Sequence, residues 1–205
     1  MSSRALTEWT TERVTRLREL YDAHKSIEGA GPGRRWRTTQ LNRMLVMALC
    51  AEFQGYARDL HDEGTEEFVR QSSLLGPAQP TLFNPKHVSV IRPLLSTNRR
   101  LDKANPDVGG LGEDFGRFGS SWWIDLAGHD SRTPSRQDHL SRLMKARNGI
   151  AHADEAKIQE LRDDGYPITL DTVRKWHSAM HGLAQTMDAV LAGHLQSVFG
   201  GSRPW

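Results

Sequence analysis

Apolar residues recur along this chain with the period of an α-helix, and four stretches carry that period most clearly. Within each stretch, apolar side chains spaced three, four and seven residues apart form one face, and charged residues lie between them. The chain has no convincing segment in which apolar and polar residues alternate, as they do in a half-buried strand. The pattern therefore predicts an all-α fold, a four-helix bundle with principal helices at residues 4–24, about 36–62, 135–152 and about 170–198.

Shorter elements are predicted between the principal helices. Pro85 to Ser96 is predicted as a short helix, and Asp154 as the N-cap of another that ends near Leu161. Ser135 and Asp138 resemble a capping box at the start of the third principal helix. The segment "EGAGPGRR" and the three prolines of "LLGPAQPTLFNPKH" predict breaks in the helical pattern.

A glycine-rich segment precedes the third principal helix. Residues 102–121 contain five glycines and one proline, so we predict a long loop there. The aromatic residues in and beside it favour burial, which predicts an ordered loop rather than a linker; they are Phe115, Phe118, Trp122 and Trp123. The segment lacks the G-K-[ST] sequence of a phosphate-binding loop.

The length and composition fit a soluble protein of one domain, residues 1–205. The formal net charge is +2, and 37% of the residues are apolar. The single cysteine, Cys50, lies in an apolar run and is predicted to be a core residue. The N-terminal residues lack the apolar region of a secretory signal, and the longest apolar run is too short to cross a bilayer. We therefore expect a cytoplasmic protein that does not bind membranes.

The candidate chemistry lies in "KARNGIAHAD", where Asn148 follows Arg147 and His152 comes five residues after the arginine. This spacing is weak by itself, because 21 arginines and nine histidines give about one such pair by chance. Apolar residues three, four and seven positions before Arg147 place it on the apolar face of the helix, where a charged head group needs solvent or partners. Two interpretations remain open: a core arginine beside a satisfied histidine, or a catalytic set.

Helix geometry adds a prediction about assembly. Arg147 and His152 are separated by about 140° around the axis of an ideal helix, so one helix does not converge them on a single atom. Two copies of the helix, facing each other across a two-fold axis, bring these side chains together. The spacing therefore favours a homodimer that includes the helix at 135–152.

The segment "HLSRLMKARNGIAH" resembles the signature helix of the HEPN superfamily (higher eukaryotes and prokaryotes nucleotide-binding). That signature is an arginine, a polar residue after it, and a histidine four to six residues after the arginine; Arg147, Asn148 and His152 fill these positions. The second principal helix is similar to the long helix of small bacterial members, and carries "FQGY" where a glutamate-glycine-aromatic segment is common, with Gln54 in place of the glutamate.

The resemblance implies a HEPN-like four-helix bundle that dimerises and that acts as a metal-independent endoribonuclease without a cofactor. It also implies catalytic roles for Arg147, Asn148 and His152, an RNA substrate, and a partner such as an antitoxin in a defence or toxin–antitoxin system. The alternative is a catalytically silent HEPN module that binds a partner protein or a nucleotide.

The three residue types suit RNA cleavage, in which the 2′-OH of the substrate is the nucleophile. His152 can transfer protons near neutral pH, Arg147 can hold two phosphate oxygens, and Asn148 can orient either group. Two further features have alternative interpretations. The basic stripe of the motif helix, residues 132–147, either binds phosphates or is a solvated face, and "SSWW" either stacks on bases or packs in the core. His177 and His181 are spaced for zinc, without an evident third ligand.

Overall fold

The computed structural model describes residues 1–28, 38–75 and 84–205, and every regular element within these ranges is helical. The chain begins with α1 (Arg4–Glu8), a π-helical turn (Trp9–Arg13) and α2 (Val14–Glu28), which follow one another without a break. The remaining helices are α3 (Thr39–Leu75), α4 (Pro85–Ser96), α5 (Arg100–Lys103), α6 (Val108–Gly116), α7 (Trp122–His129), α8 (Thr133–Ala151), α9 (Glu155–Asp163) and α10 (Leu170–Phe199). The all-α prediction is confirmed. No helix in these ranges is both long enough and apolar enough to cross a membrane.

The core lies where α10 packs against α3 and α8, and the N-terminal helices pack against both α3 and α10. Trp9 is fully buried, and its ring lies 5.9 Å from that of Phe53 and 5.6 Å from that of Tyr56. The Tyr56 hydroxyl donates to the carbonyl of Ala184, 2.7 Å away, so the buried phenol is hydrogen-bonded. This packing joins the N-terminal segment to α3, and the hydrogen bond of Tyr56 joins α3 to α10.

Helix α3 is longer than its apolar pattern predicts. The predicted start near Trp36 lies outside the described residues. Most of "EGAGPGRR" and most of "LLGPAQPTLFNPKH" lie outside them as well. At the other end, α3 continues past Asp62 to Leu75. Its buried positions beyond Asp62 include Gly64, Thr65 and Ser72, which are small or polar residues. The apolar stripe therefore fades in the sequence, although the helix and its burial continue.

The predicted loop at residues 102–121 is wrong for its central part, which forms helix α6. The side chain of Asp107 caps this helix by accepting from the backbone N–H of Gly110 at 2.6 Å. Leu111 and Phe115 are fully buried. Burial of these two side chains outweighs the low helix propensity of the glycines.

The aromatic residues in and after this segment pack into the core. Phe115, Phe118 and Trp122 are buried, and the rings of Phe115 and Trp122 stack with centroids 4.3 Å apart. Trp123 is partly buried, and its Nε1 donates to the carbonyl of Val108 at 2.8 Å. The core interpretation of "SSWW" is therefore correct for Trp122, and Trp123 is held by the same packing.

The motif helix, α8, begins before the predicted capping box. Its N-cap residue is Arg132, without a side-chain capping bond, and Pro134 lies in its first turn. The capping-box prediction for Ser135 and Asp138 is therefore wrong, and Asp138 instead forms an ion pair with Arg142 one turn later. Proline at this position explains the earlier start, since it lacks an N–H and already has a helical φ.

The other helix predictions hold with small differences. α4 has the predicted bounds, and the Asn84 side chain caps it by accepting from the backbone N–H of His87. Asp154 caps α9, as predicted, through its bond from the N–H of Lys157 at 3.2 Å. α10 covers the predicted range, but Val198 is 47% exposed rather than buried.

Candidate functional site

The end of the motif helix has a defined geometry. α8 ends at Ala151, and His152 is the C-cap residue, with φ −103° and ψ 7°. Ala153 has a φ of 51°, in the left-handed region, and the N–H of Asp154 donates to the carbonyl of Gly149 at 2.8 Å. The chain therefore turns sharply after His152, as it does in common helix C-caps, and Asp154 starts α9 at once.

Arg147, Asn148 and His152 line one open cleft with a volume of about 320 Å³. The other lining residues come from α3 and from the end of α5; they are Gln54, Arg58, Asp102, Lys103, Ala104 and Asn105. The ideal-helix argument predicts that Arg147 and His152 diverge. His152 is the C-cap residue and lies outside the ideal helix for which the argument is made, and both residues line the same cleft of a single chain.

Arg147 follows the apolar face as predicted, but its head group reaches the cleft. Leu143 and Met144 are buried, whereas Arg147 is only partly buried. Its Nη1 donates to the Oδ1 of Asn148 at 3.3 Å, and no carboxylate of the described ranges forms an ion pair with it. The arginine is thus neither neutralised nor bonded to a helix end, as a structural core arginine would be.

The rest of the predicted basic stripe is neutralised by neighbouring carboxylates. Arg132 and Arg136 both pair with Asp130, Arg142 pairs with Asp138, and Lys145 pairs with Glu160. These cations are therefore already paired, with Arg136 buried, and the phosphate-binding interpretation of the stripe is not supported along its length. Arg147 differs from the other cations of the stripe in lacking a carboxylate partner within the described ranges.

One side of the cleft is formed by residues 99–105, which we call the cleft wall. Gln54 holds it by donating from Nε2 to the carbonyls of Leu101 and Ala104, both at 2.9 Å. Arg58 donates from Nε to the same Leu101 carbonyl at 2.7 Å. A glutamate at position 54 has no proton to donate at neutral pH, so the glutamine fits its two acceptors.

The other end of the cleft wall is held by a buried carboxylate. Asp114 is fully buried, and its side chain accepts from the backbone N–H groups of Arg100 at 3.0 Å and Leu101 at 2.8 Å. These bonds satisfy amides at the start of α5, which has no side-chain cap of its own. The cleft wall is therefore fixed at both ends by side chains from α3 and α6.

His61 completes this support from α3. Arg99 donates from Nη1 to the Nδ1 of His61 at 3.1 Å, so the ring proton lies on Nε2 and is donated to the carbonyl of Asp114 at 3.1 Å. Burial, together with the charge of Arg99, lowers the pKa of His61 to about 4. The neutral imidazole is thus part of the native network.

The cleft carries more positive than negative charge. Arg58, Lys103 and Arg147 line it, and Asp102 is the one acidic residue among the lining residues. The carboxylate of Asp102 is already held by Arg99, through bonds of 3.0 Å from both Nε and Nη2. A cleft with this balance favours an anionic ligand.

The remaining histidine pair has other contacts. Trp9 donates from Nε1 to the Nδ1 of His181 at 3.2 Å, and the hydroxyl of Tyr21 lies 3.4 Å from the Nδ1 of His177. Within the described residues, no three His, Cys, Asp or Glu side chains are grouped so that they could hold a metal ion. The pair is therefore part of the interface between the N-terminal helices and α10.

The sequence indicates the three motif residues, but not the residues opposite them. Arg58 and Asn105 carry no recognisable signal, because α3 and the cleft wall are adjacent only in the folded chain. Comparisons with protein-family models, with curated proteins and with solved structures found no match to this chain. The fold and the site thus define an all-helical protein with a cationic cleft at the end of one long helix.

Proposed function

We propose that the cleft binds a phosphodiester of RNA and that the protein is a metal-independent endoribonuclease of the HEPN type. The observation that carries the proposal is the shared cleft of Arg147, Asn148 and His152, in which the guanidinium has no carboxylate partner among the described residues. An unpaired guanidinium can bind two phosphate oxygens, and the exposed imidazole beside it can transfer protons.

The reaction needs no nucleophile from the protein. The 2′-oxygen of the substrate attacks phosphorus, its proton is removed, the P–O5′ bond breaks, and the departing 5′-oxygen takes up a proton. His152 supplies one of the two proton transfers, and Arg147 stabilises the additional negative charge on the phosphoryl oxygens. The products are a 2′,3′-cyclic phosphate and a 5′-hydroxyl.

A homodimer remains part of the proposal, for a chemical reason. The two proton transfers require a base and an acid, and one chain places a single histidine among the residues that line the cleft. A second copy that faces the cleft across a two-fold axis supplies the other imidazole. Light scattering at micromolar concentration should report twice the monomer mass of 23.1 kDa; a monomer that cleaves RNA at full rate would contradict this part.

The central test is cleavage of RNA by the purified protein in excess EDTA, with analysis of the end groups. We expect His152→Ala and Arg147→Ala each to reduce the initial rate by about 100-fold or more, and Asn148→Ala by about tenfold. The double variant of Arg147 and His152 should be little worse than either single variant, because the two residues act in one step.

Two matched variants control for the loss of a side chain. His129 is also exposed at the end of a helix, and Arg142 is on the same helix as Arg147, but neither lines the cleft. His129→Ala and Arg142→Ala should therefore cleave at the wild-type rate, with melting curves recorded for every variant. A folded His152→Ala protein with wild-type activity, a strict need for magnesium, or a 5′-phosphate product would each refute the mechanism.

We also propose that the biological role is that of a defence effector or toxin, acting with an antitoxin or another partner. Expression of the wild-type chain should then arrest growth, since cleavage of cellular RNA stops protein synthesis. Cells that express His152→Ala at the same level should grow normally. Equal growth of the two strains, with the RNA intact in both, would contradict this role while leaving the in vitro test open.

A further inference from the structure

Asn105 contacts the motif from the opposite side of the cleft. It belongs to the cleft wall, and its Nδ2 donates to the Oδ1 of Asn148 at 2.7 Å. Gln54 fixes the preceding residue by donating to the carbonyl of Ala104, and Pro106, which follows, is buried. Asn105 therefore reaches Asn148 from a segment with a fixed backbone.

The hydrogen bonds determine which way the amide of Asn148 faces. Arg147 has only donors, so the atom of Asn148 that contacts its Nη1 at 3.3 Å must be the oxygen. The group of Asn105 that meets the same oxygen must then be its NH₂. Two donors occupy the oxygen, and no acceptor within the described residues takes a hydrogen bond from the Nδ2 of Asn148. Both N–H bonds of that nitrogen therefore have no acceptor among the described residues, and Asn148 lines the cleft.

We propose that Asn105 is a positioning residue, which holds the amide of Asn148 so that its NH₂ donates to an oxygen of the bound phosphodiester. The inference rests on the proposed function and adds a residue that lies outside the motif. Without Asn105, the amide loses the stronger of its two restraints and can rotate. In the rotated state its oxygen faces the phosphate, and two groups that only accept hydrogen bonds repel each other.

The first test is a double-mutant cycle on cleavage of one defined RNA. Asn105→Ala should lower the rate by about tenfold in the wild-type background, comparable to the loss of one hydrogen bond. In the Asn148→Ala background it should have no further effect, because its target is gone. An equal loss in both backgrounds would show that Asn105 acts independently of Asn148, and would overturn the proposal.

The second test does not depend on cleavage. The side-chain NH₂ signals of Asn148 are identified in ¹⁵N-labelled protein by their loss in Asn148→Ala. Inorganic phosphate and a 2′-deoxy dinucleotide, which is not cleaved, are then added in turn. Both probes should shift these signals in the wild type and shift them much less in Asn105→Ala.

These outcomes separate the two proposals. If the wild type binds the probes through Asn148 but cleaves no RNA, the positioning role stands and the proposed function fails. If the Asn148 signals do not move with either probe, the positioning role fails, whatever the cleavage result. Asn105→Asp is a second variant of equal size; its carboxylate accepts from the NH₂ of Asn148, so it should also abolish the shifts. Wild-type shifts in Asn105→Asp would overturn the inference.

Discussion

Gly182 gives the sharpest test of how the motif helix is held in place. Arg136, near the start of α8, lies against Gly182 on α10, and its Nη1 donates to the Gly182 carbonyl and to Thr186 Oγ1, both at 3.0 Å. A Cβ added at Gly182 would lie 2.5 Å from the Cζ of Arg136 and 2.6 Å from its Nε. Because only 9% of Arg136 is exposed, the guanidinium has little room to move aside, and Gly182→Ala must displace it.

The expected loss of stability follows from these contacts. Breaking the two hydrogen bonds to α10 costs about 2 kcal/mol, and forcing extra atoms into a packed site costs about 1–3 kcal/mol. Alanine recovers about 1 kcal/mol as a better helix former than glycine. We therefore expect Gly182→Ala to lower the free energy of unfolding by about 2–4 kcal/mol.

Gly193 on the same helix provides the matched control. It is exposed, and a Cβ added there meets no heavy atom within 4 Å. Gly193→Ala should therefore raise the free energy of unfolding by up to about 1 kcal/mol. Urea denaturation followed by circular dichroism measures both variants, and a thermal melt should change by about 2–4 °C per kcal/mol. If Gly182→Ala is as stable as Gly193→Ala, the contact between Arg136 and α10 is not as described.

Two further predictions concern the support of the cleft wall. Gln54→Glu should lower the free energy of unfolding by about 1–2 kcal/mol, since two donated hydrogen bonds are lost, whereas Gln40→Glu at an exposed position of the same helix should change little. The stability of the wild type should fall as the pH drops from about 6.5 to about 4, because the pKa of His61 is about 6.5 in the unfolded chain and about 4 in the fold. The folded state disfavours protonation of His61. The free energy of unfolding of His61→Gln, measured by urea titrations, should therefore fall less over this pH range than that of the wild type. An unchanged slope of stability against pH would exclude His61 as the source of the fall.

The sequence predicts the helices that bury a regular apolar stripe, such as α10, and those that have a clear capping residue, such as α9. It fails for a helix segment that buries small or polar residues and for a helix rich in glycine. The buried residues in the last third of α3 include Gly64 and Thr65, so the pattern stops before the helix does. In α6 the four glycines oppose helix formation locally, and the tertiary burial of Leu111 and Phe115 makes the helix favourable.

The candidate site, like the fold, can be predicted from the sequence only in part. The three motif residues lie within residues 147–152, so their spacing is visible in the sequence. Their environment is only partly visible. The pair of Arg142 with Asp138 is a contact within one helix that the spacing allows, whereas the pairing of Arg136 with Asp130 and of Lys145 with Glu160 depends on the fold. An ideal helix separates Arg147 and His152 widely, but His152 is a C-cap residue, and both side chains line the same cleft.

The cleft is assembled from three distant parts of the chain, and this constrains the order in which the protein can fold. Gln54 meets Leu101 across 47 residues of sequence, and Asn105 meets Asn148 across 43. Contacts that close such long loops form late, after local helices have provided a surface for them. During synthesis, a chain growing from its N-terminus has no complete cleft until His152 has left the ribosome. Any activity of the cleft therefore begins only after the chain has been synthesised beyond His152.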